Sequence, residues 1–412
     1  MTPWLTIVGL GEDGPDGLPL ASREALAGAE IVIGASRHLR LLPSLEAEQI
    51  EWPVPFAEGV PRLLALRGRR VVMLASGDPF WFGAGSVLAR QLTPGEWVAL
   101  PVASVFSLAA SRLGWPLEST ACLGLHAAPM ARLRPLLAPG FRAIVTLRDG
   151  AAVAGLAAYL TGEGFGGSAL TVLEALGGPR ERIRRFSADT YDAGDVQHPV
   201  ACAVDVAGAG AVLGSVMGAA LGPVLGLAAG RDDAWFAHDG QITKRPVRAL
   251  ALSALAPRGN ELLWDIGAGS GSISIEWLLS GPATQAIGYE ADAERAARAR
   301  ENAARLGVER LQIVEASAPE CLADAVGEPL PDAVFIGGGL SQALLETLFS
   351  LLPAGTRLVA HAVTLESEAL LAHWHADKGG QMLRFELAEA KPLGRRRGWK
   401  SAYPVVQWSV VL

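Results

Sequence analysis

Short apolar runs alternate with helical stretches along the whole chain, and they fall into two sets. In the first half, WLTIVGLG, EIVIGA, RRVVMLASGD, WVALPVAS, RAIVTLRDG and ALTVLEALGG read as buried strands, each followed by a turn or a helical pattern. Continuous apolar runs suit strands covered on both faces, and their alternation with helices predicts an α/β architecture. ERIRRFSA and HPVACAVDVA read as a late antiparallel pair. In the second half, ELLWDIG, QAIGYE, LQIVEAS, DAVFIGG and RLVAHAV are candidate parallel strands, and MLRFELAEA with VVQWSVVL suits a closing hairpin. No duplicated sequence links the halves, so the pattern predicts two different α/β domains with separate sites. Their expected boundaries are 1–207 and 234–412, joined by a linker over 208–233.

The stretch around the linker is unusual. Val206 to Gly230 carries no charged residue, which is long enough by count for a membrane span. It holds Pro223 and a glycine at every fourth position from Gly210 to Gly230. Glycine and alanine supply little apolar area, and so many glycines destabilise a helix. We therefore expect a strand end followed by a linker, and no membrane span. The N-terminus lacks a basic segment and a long apolar core, so no signal peptide is expected.

Composition narrows the class. With 412 residues, half of them hydrophobic and 19% charged, the chain is globular and able to bury more than one core. A net charge of −7 argues against a general nucleic-acid binder. The basic residues are nearly all arginine, with lysine only at 244, 378, 391 and 400. Cys122, Cys202 and Cys321 form no C-x-x-C motif, so reduced thiols in the cytoplasm are expected, with no disulfide and no metal site.

The strongest local signal is Glu261–Glu290. An apolar strand ends in Asp265, a turn follows with glycine at 267, 269 and 271, a helix starts near Ser272, and a second strand ends in Glu290. Glycine lets the backbone approach a ligand closely and reach positive φ, and the amides of the following helix face the same point. Glu290 stands where a carboxylate accepts hydrogen bonds from both ribose hydroxyls. A dinucleotide fingerprint needs a third glycine at the position held here by Ser272. The G-x-G-x-G spacing instead resembles the S-adenosylmethionine (SAM) site of class I methyltransferases.

In the first half, Gly9, Gly11 and Gly14 formally match a dinucleotide fingerprint. Gly14 is followed by Pro15, Gly17 and Pro19, which break the helix that motif requires. Further on come Ser76-Gly77-Asp78-Pro79 with Gly83, then Pro101 to Val105 ahead of a helix. This order of loops resembles the tetrapyrrole methylase family (class III methyltransferases), with a cleft between two α/β subdomains. The resemblance places SAM contacts on Gly77, Asp78, Ser104 and Val105, with Trp81 and Leu147 beside them. Gly11-Glu12-Asp13-Gly14 departs from that family's commoner Gly-Pro-Gly-Asp loop. For Asp78 the alternative reading is a turn residue bonded to its own backbone.

Around the second glycine turn lie Trp235 to Arg248, Ala316 to Pro319, Phe335 to Gly339 and Ala362 to Ser367. This set resembles the C-terminal half of the decarboxylating precorrin-6Y C5,15-methyltransferase family, whose members carry a tetrapyrrole methylase half ahead of it. The resemblance implies a Rossmann-like class I domain, one SAM per domain and no metal. It also implies methylation at C5 by the first half. The second half would methylate C15 and remove CO₂ from the C12 acetate, giving precorrin-8 in cobalamin biosynthesis. SAM contacts would fall on Thr243, Gly267, Ala268, Gly269, Ser270, Gly271, Glu290 and Ala318. The substrate is a polycarboxylate, so cations should line its pockets; Lys244, Arg245 and Arg248 are the candidates, with His361 where the family often has a small polar residue. A homotetramer through the second half is implied, and neither nucleic acid nor membrane as partner.

Other charged positions have plainer readings. Arg395–Arg397 with Lys400 read as a solvated loop or a substrate clamp. His361 reads equally as a core histidine. His373 and His375 point apart on a helix, so they read as surface. Glu366 reads as a helix N-terminal acid. Two rival functions remain: an RNA methyltransferase with an accessory domain, and a SAM-binding regulator without turnover.

Overall fold

A computed structural model describes residues 3–43, 45–208, 215–216, 219–220, 224–322 and 329–412. The chain divides into two compact units, residues 1–130 with 138–211, and 131–137 with 212–412.

The first unit holds two sheets. Strands β1 (Leu5–Leu10), β2 (Ile31–Gly34), β3 (Glu48–Glu51), β4 (Val71–Ser76) and β5 (Trp97–Leu100) form a parallel sheet in the order β3-β2-β4-β1-β5. Helices α1 (Leu20–Ala27), α2 (Ser36–Leu41), α3 (Gly59–Leu64) and α4 (Ala84–Leu88) connect its strands, and α5 (Val105–Leu113) packs on the unit's other sheet. The central strands β1, β2 and β4 are almost wholly buried, as their unbroken Val/Ile/Leu runs require. Where a dinucleotide fold would open a helix, Gly14–Gly17 makes only a short 3-10 turn, and α1 begins after Pro19.

The second sheet is mixed, with order β6-β7-β10-β8-β9, built from β6 (Ala121–Gly124), β7 (Arg142–Leu147), β8 (Ala169–Glu174), β9 (Arg182–Ser187) and β10 (Val200–Asp205), with α6 (Gly150–Gly162). One expectation is corrected here. The strands β9 and β10 do not pair with each other: β10 lies between β7 and β8, and β9 is an edge strand on β8. The reason is compositional. VACAVD is apolar and buried along its length, so it belongs at the centre, whereas RIRRFS exposes charge and suits an edge. The short edge strands β3 and β6 carried no apolar run to announce them.

In the second unit, β11 (Ser215–Val216) and β12 (Ala219–Ala220) form a minimal antiparallel pair. The rest of the Gly/Ala-rich stretch, and with it most of the expected linker, lies outside the described residues. No helix among the described residues is long and apolar enough to cross a membrane. The main sheet has the order β15-β14-β13-β16-β17-β21-β18. Its strands are β13 (Leu262–Ile266), β14 (Gln285–Glu290), β15 (Gln312–Glu315), β16 (Ala333–Ile336), β17 (Arg357–Ala362), β18 (Gln381–Phe385) and β21 (Val405–Val411). Helices α7 (Arg245–Leu255), α8 (Ser272–Leu279), α9 (Ala293–Arg305), α10 (Gln342–Leu351) and α11 (Leu365–Lys378) belong to the same unit. All five expected parallel strands pair in parallel, and β18 and β21 close the sheet antiparallel. The run MLRFELAEA splits, however. Its second part joins a separate exposed hairpin of β19 (Ala388–Leu393) and β20 (Arg396–Ser401), turning at Gly394 with φ +60°. Arg395–Arg397 therefore occupy a hairpin instead of a loop.

Candidate functional site

Each unit carries a cleft at the carboxyl ends of its parallel strands, where open α/β sheets bind ligands.

In the second unit the cleft has a volume of about 770 Å³. The turn Gly267–Ser270, Tyr289–Ala291, Ala316–Ala318, Gly337–Gly339 and the strap Gln241–Lys244 line it, with His361. The turn after β13 and the loop after β16 touch so closely that a side chain on Gly267 would lie 2.7 Å from the Gly338 backbone, and Gly267 has φ +70°. Gly269 also has positive φ, +57°, yet a side chain there would meet only the Gly267 carbonyl oxygen, at 4.0 Å, and its backbone lines the cavity. Gly271 does not line the cleft; at φ +75° it caps the start of α8.

Two carboxylates brace this turn. Glu290 Oε2 accepts the Gly269 amide at 2.7 Å and Oε1 accepts the Asp292 amide at 3.0 Å. Both oxygens keep a free lone pair beside the cleft. Asp265 is buried and accepts from the Ser274 hydroxyl at 2.6 Å and amide at 3.1 Å. Burial pushes its carboxyl up to about 6, opposed by the Ser274 bonds and assisted by the Glu290 charge. His361 stands on β17 opposite Gln407, whose carbonyl oxygen is 3.0 Å from Nε2. With that acceptor the Nε2 nitrogen carries the proton. Burial lowers the imidazole below its ordinary value, which keeps it neutral. The ring meets Phe335 edge-on at 5.0 Å.

The structure brings Thr243, Lys244, Gly267, Ala268, Gly269, Ser270, Glu290, Ala318 and His361 to this one cleft. Arg248 is a correction. Its guanidinium is fully buried and donates to Glu276 at 2.6 Å and to the carbonyls of Thr243 and Arg231, away from the cavity. It lies over the Phe236 ring at 4.7 Å. The residue that looked like a substrate cation holds the strap from below: Arg248 bonds the Thr243 carbonyl, and Glu276 receives the Gly230 and Arg231 amides. Arg245 pairs loosely with Asp232. His375 bonds the Gly379 carbonyl on the surface, and Glu366 sits in the acidic first turn of α11.

The first unit's cleft is about 560 Å³. Gly77, Asp78, Ser104 and Val105 line it, with Trp81 and Leu147. Its three loops meet at glycine: a side chain on Gly9 would sit 1.9 Å from the Gly77 carbonyl, and one on Gly77 would sit 3.0 Å from the Ala103 carbonyl. Asp78 Oδ1 accepts the Phe80 amide at 2.8 Å, so it shapes its own turn as well as lining the cavity. Ser104 caps α5 through the Ser107 amide at 3.1 Å. Trp81 stacks on Phe106 at 5.2 Å. Sequence reasoning missed the polar wall of Arg37, His38, His126 and His198. No motif marks these residues; the only signal was the density of cations in Ser-Arg-His-Leu-Arg after a strand. Among the described residues no cluster of three or more His, Cys, Asp or Glu is placed to hold a metal ion, and the three cysteines are free thiols.

Comparison with known proteins gives two family matches. The family described as Tetrapyrrole (Corrin/Porphyrin) Methylases matches residues 4–192, and that described as Precorrin methyltransferase domain matches residues 234–412. A precorrin-6Y C(5,15)-methyltransferase [decarboxylating] of Sinorhizobium sp is 50% identical over 412 residues, 99% of this chain and 96% of that protein. The protein of the same name from Mycobacterium tuberculosis (strain ATCC 25618 / H37Rv) is 40% identical over 411 residues, 98% of this chain and 99% of its own. Among solved structures, the C-terminal domain of precorrin-6Y C5,15-methyltransferase from Rhodobacter capsulatus is 53% identical. It matches 46% of this chain and 100% of its own, with a TM-score of 0.44. The chain belongs to the family of decarboxylating precorrin-6Y C5,15-methyltransferases.

Proposed function

We propose, from that membership, that the chain methylates precorrin-6Y at C5 and C15 and removes the C12 acetate carboxyl as CO₂ in cobalamin biosynthesis. The C5 reaction belongs to residues 1–207, the C15 reaction and decarboxylation to residues 234–412, with 208–233 between them. As a methyltransferase of this family it uses SAM, and one SAM in each unit is the finer reading. The observation that carries it is the pair of separate clefts, each lined by a glycine loop too crowded to take a side chain freely, at Gly267 in one and Gly77 in the other.

SAM supplies an electrophilic methyl group on a sulfonium. The residues present fit it: a glycine cradle open at Gly269, amides at a helix start, and a terminal carboxylate at Glu290 with lone pairs to spare. The ring carbon to be methylated is enamine-like and electron-rich, so no strong base is required. The protein's work is to hold the reactants in line and exclude water. Phe335, Val363, Phe385, Leu387 and Val405 give the second cleft an apolar wall where a carboxylate loses solvation before it leaves. Lys244 at the rim, 3.9 Å from Asp233, is placed to hold a substrate carboxylate, and the neutral His361 hydrogen-bonds without adding charge. In the first cleft Gly77, Asp78, Ser104 and Val105 take the matching cofactor role.

A homotetramer through the second unit is supported by Leu393, Trp399 and Tyr403, large apolar side chains left exposed on and beside the β19–β20 hairpin; light scattering of the purified chain tests it. Free thiols suit a cytoplasmic setting.

The deciding experiment is mass spectrometry of the product from purified protein, SAM and precorrin-6Y. A gain of two methyls with loss of one CO₂ is expected. One methyl with CO₂ loss would remove the assignment of the first unit. No mass change with SAM still bound would favour the regulatory reading, and methyl transfer to RNA instead would favour the other rival.

A further inference from the structure

A single buried carboxylate in the first cleft is shared by two guanidiniums. The Glu12 side chain, 6% exposed, pairs with Arg37 on one side and with Arg180, at 2.8 Å, on the other. Glu12 follows β1 of the parallel sheet, and Arg180 follows β8 of the mixed sheet. The two loops abut: a side chain on Gly178 would lie 2.6 Å from the Glu12 Cβ and carbonyl. Arg37 spends its other terminal nitrogen on Ser76 Oγ and His38 Nε2, both at 2.8 Å. His38 accepts there as a neutral ring, its pKa lowered to about 3 by burial, then by Arg37 and His198. Ser76 directly precedes the Gly77–Asp78 loop.

Within this cluster the charges do not cancel. Two guanidiniums face one carboxylate, and the other partners are neutral. Asp78 bonds its own turn, and Asp149 is taken by Arg148 at 3.0 Å and by the start of α6. Across the cleft lining, Arg37 and Arg148 stand against Glu12 and Asp78, so the cation of this cluster is local to Arg37 and Arg180. Arg37 lines the cavity, its guanidinium held by Glu12 through Nη1 and by Ser76 and His38 through Nη2, which leaves Nε–H and one Nη1 hydrogen to donate. A preset guanidinium loses little freedom on binding, and its fixed charge attracts a carboxylate.

We infer that Arg37 is a carboxylate-recognition residue of the first cleft. Its guanidinium takes a carboxylate arm of the tetrapyrrole and so decides which ring carbon faces the Gly77–Asp78 loop; Glu12, Ser76 and His38 are the positioning residues behind it. This rests on the reading that the first unit methylates the tetrapyrrole.

The test uses the full chain with SAM and precorrin-6Y, following each methyl by mass spectrometry. Arg37→Gln is expected to raise KM of the first methylation about tenfold or more, with kcat changed less. Methylation and CO₂ loss in the second unit should continue at the wild-type rate. Arg37→Lys should recover part of the loss, since it keeps the charge without the guanidinium. An unchanged KM in Arg37→Gln, or lowered thermal stability and kcat with KM unmoved, would overturn the inference alone. Should Arg37→Gln not fold, Ser76→Ala removes one anchor and should raise KM about threefold; an unchanged KM there also overturns it. Wild-type protein adding a single methyl would overturn the reading of the first unit and this inference with it.

Discussion

The two clefts solve the same problem with different parts. The second is built mainly from one continuous stretch, Asp265 to Glu290, whose acids are satisfied by backbone amides and a serine hydroxyl. The first is assembled from three loops far apart in sequence, closed by residues of another sheet, and its buried acid is satisfied by guanidiniums. A carboxylate braced by amides stays available to hydroxyl donors. A carboxylate shared by two arginines instead presets cations. Under the proposed function, the contrast favours nucleoside recognition in the second cleft and recognition of an acidic ligand in the first.

The sharpest way to break this comparison is to fill one glycine in each cleft. Gly267→Ala places a Cβ 2.7 Å from the Gly338 backbone at φ +70°, where only backbone could yield. The expected outcome is loss of C15 methylation and CO₂ release below detection, with C5 methylation intact. Gly77→Ala, 3.0 Å from the Ala103 carbonyl at φ +54°, should give the complementary product. Gly269→Ala meets only the Gly267 carbonyl oxygen, at 4.0 Å, and bears the left-handed penalty of about 1–2 kcal/mol. Product masses decide: loss of both methylations in one variant would mean that the clefts are not separate sites, and retention of both would mean that the glycine tolerates a side chain.

Next in size is Glu276→Ala. Its fully buried carboxylate receives the Gly230 amide at 2.6 Å, the Arg231 amide at 2.9 Å and Arg248 Nε at 2.6 Å. Removing it leaves the buried Arg248 with only Asp233, at 3.1 Å, to balance it, at a cost of about 3 kcal/mol. Calorimetry should show the second unit melting earlier, with the first unit's transition unmoved.

The glycine turn and its strand-terminal acid were legible in the sequence because every residue they need is local. The five parallel strands were legible because each is a single apolar run. Pairing partners were not. RIRRFS and VACAVD both look like strands, but which one enters the sheet's centre depends on packing along the whole sheet. The hairpin β19–β20 escaped notice because AEAKPL and RRGWKS are exposed along almost their whole length and carry no buried face to read. Arg248 misled for a related reason. An arginine near a binding loop carries the same letter whether it faces a ligand or a buried glutamate, and Glu276 is 28 residues away. Arg37 and Glu12 come together only through tertiary structure.

The units should also differ in acid. Burial raises Asp265 from 3.8 to about 6, so the folded second unit binds more protons than the unfolded chain across that interval. Its contribution is therefore present at low pH and lost as pH rises through about 6, on the order of 3 kcal/mol. In the first unit the sign is opposite. The Thr93 amide and hydroxyl hold Glu96 at about 2, and Arg182 holds Asp195 at about 2, so their stabilisation is lost as pH falls below about 4. Asp265→Asn should flatten the second unit's melting temperature between pH 4 and 6 and leave the first unit's acid loss unchanged. An unaltered slope would mean that Asp265 titrates normally.

Glu290 gives the smallest effect and the finest distinction. Glu290→Ala removes the acceptor of the Gly269 and Asp292 amides together with the proposed ribose contact, and should weaken SAM binding to the second unit about tenfold. Glu290→Gln keeps a carbonyl for the Gly269 amide but loses the charge and one acceptor. If Glu290 merely braces the turn, Gln should bind SAM nearly as well as Glu. If it accepts both ribose hydroxyls, Gln should fall close to Ala in a calorimetric titration. The same Gln variant tests the electrostatics independently, because the Glu290 charge helps to raise Asp265. Its removal should move the Asp265 midpoint downward whichever way SAM affinity goes.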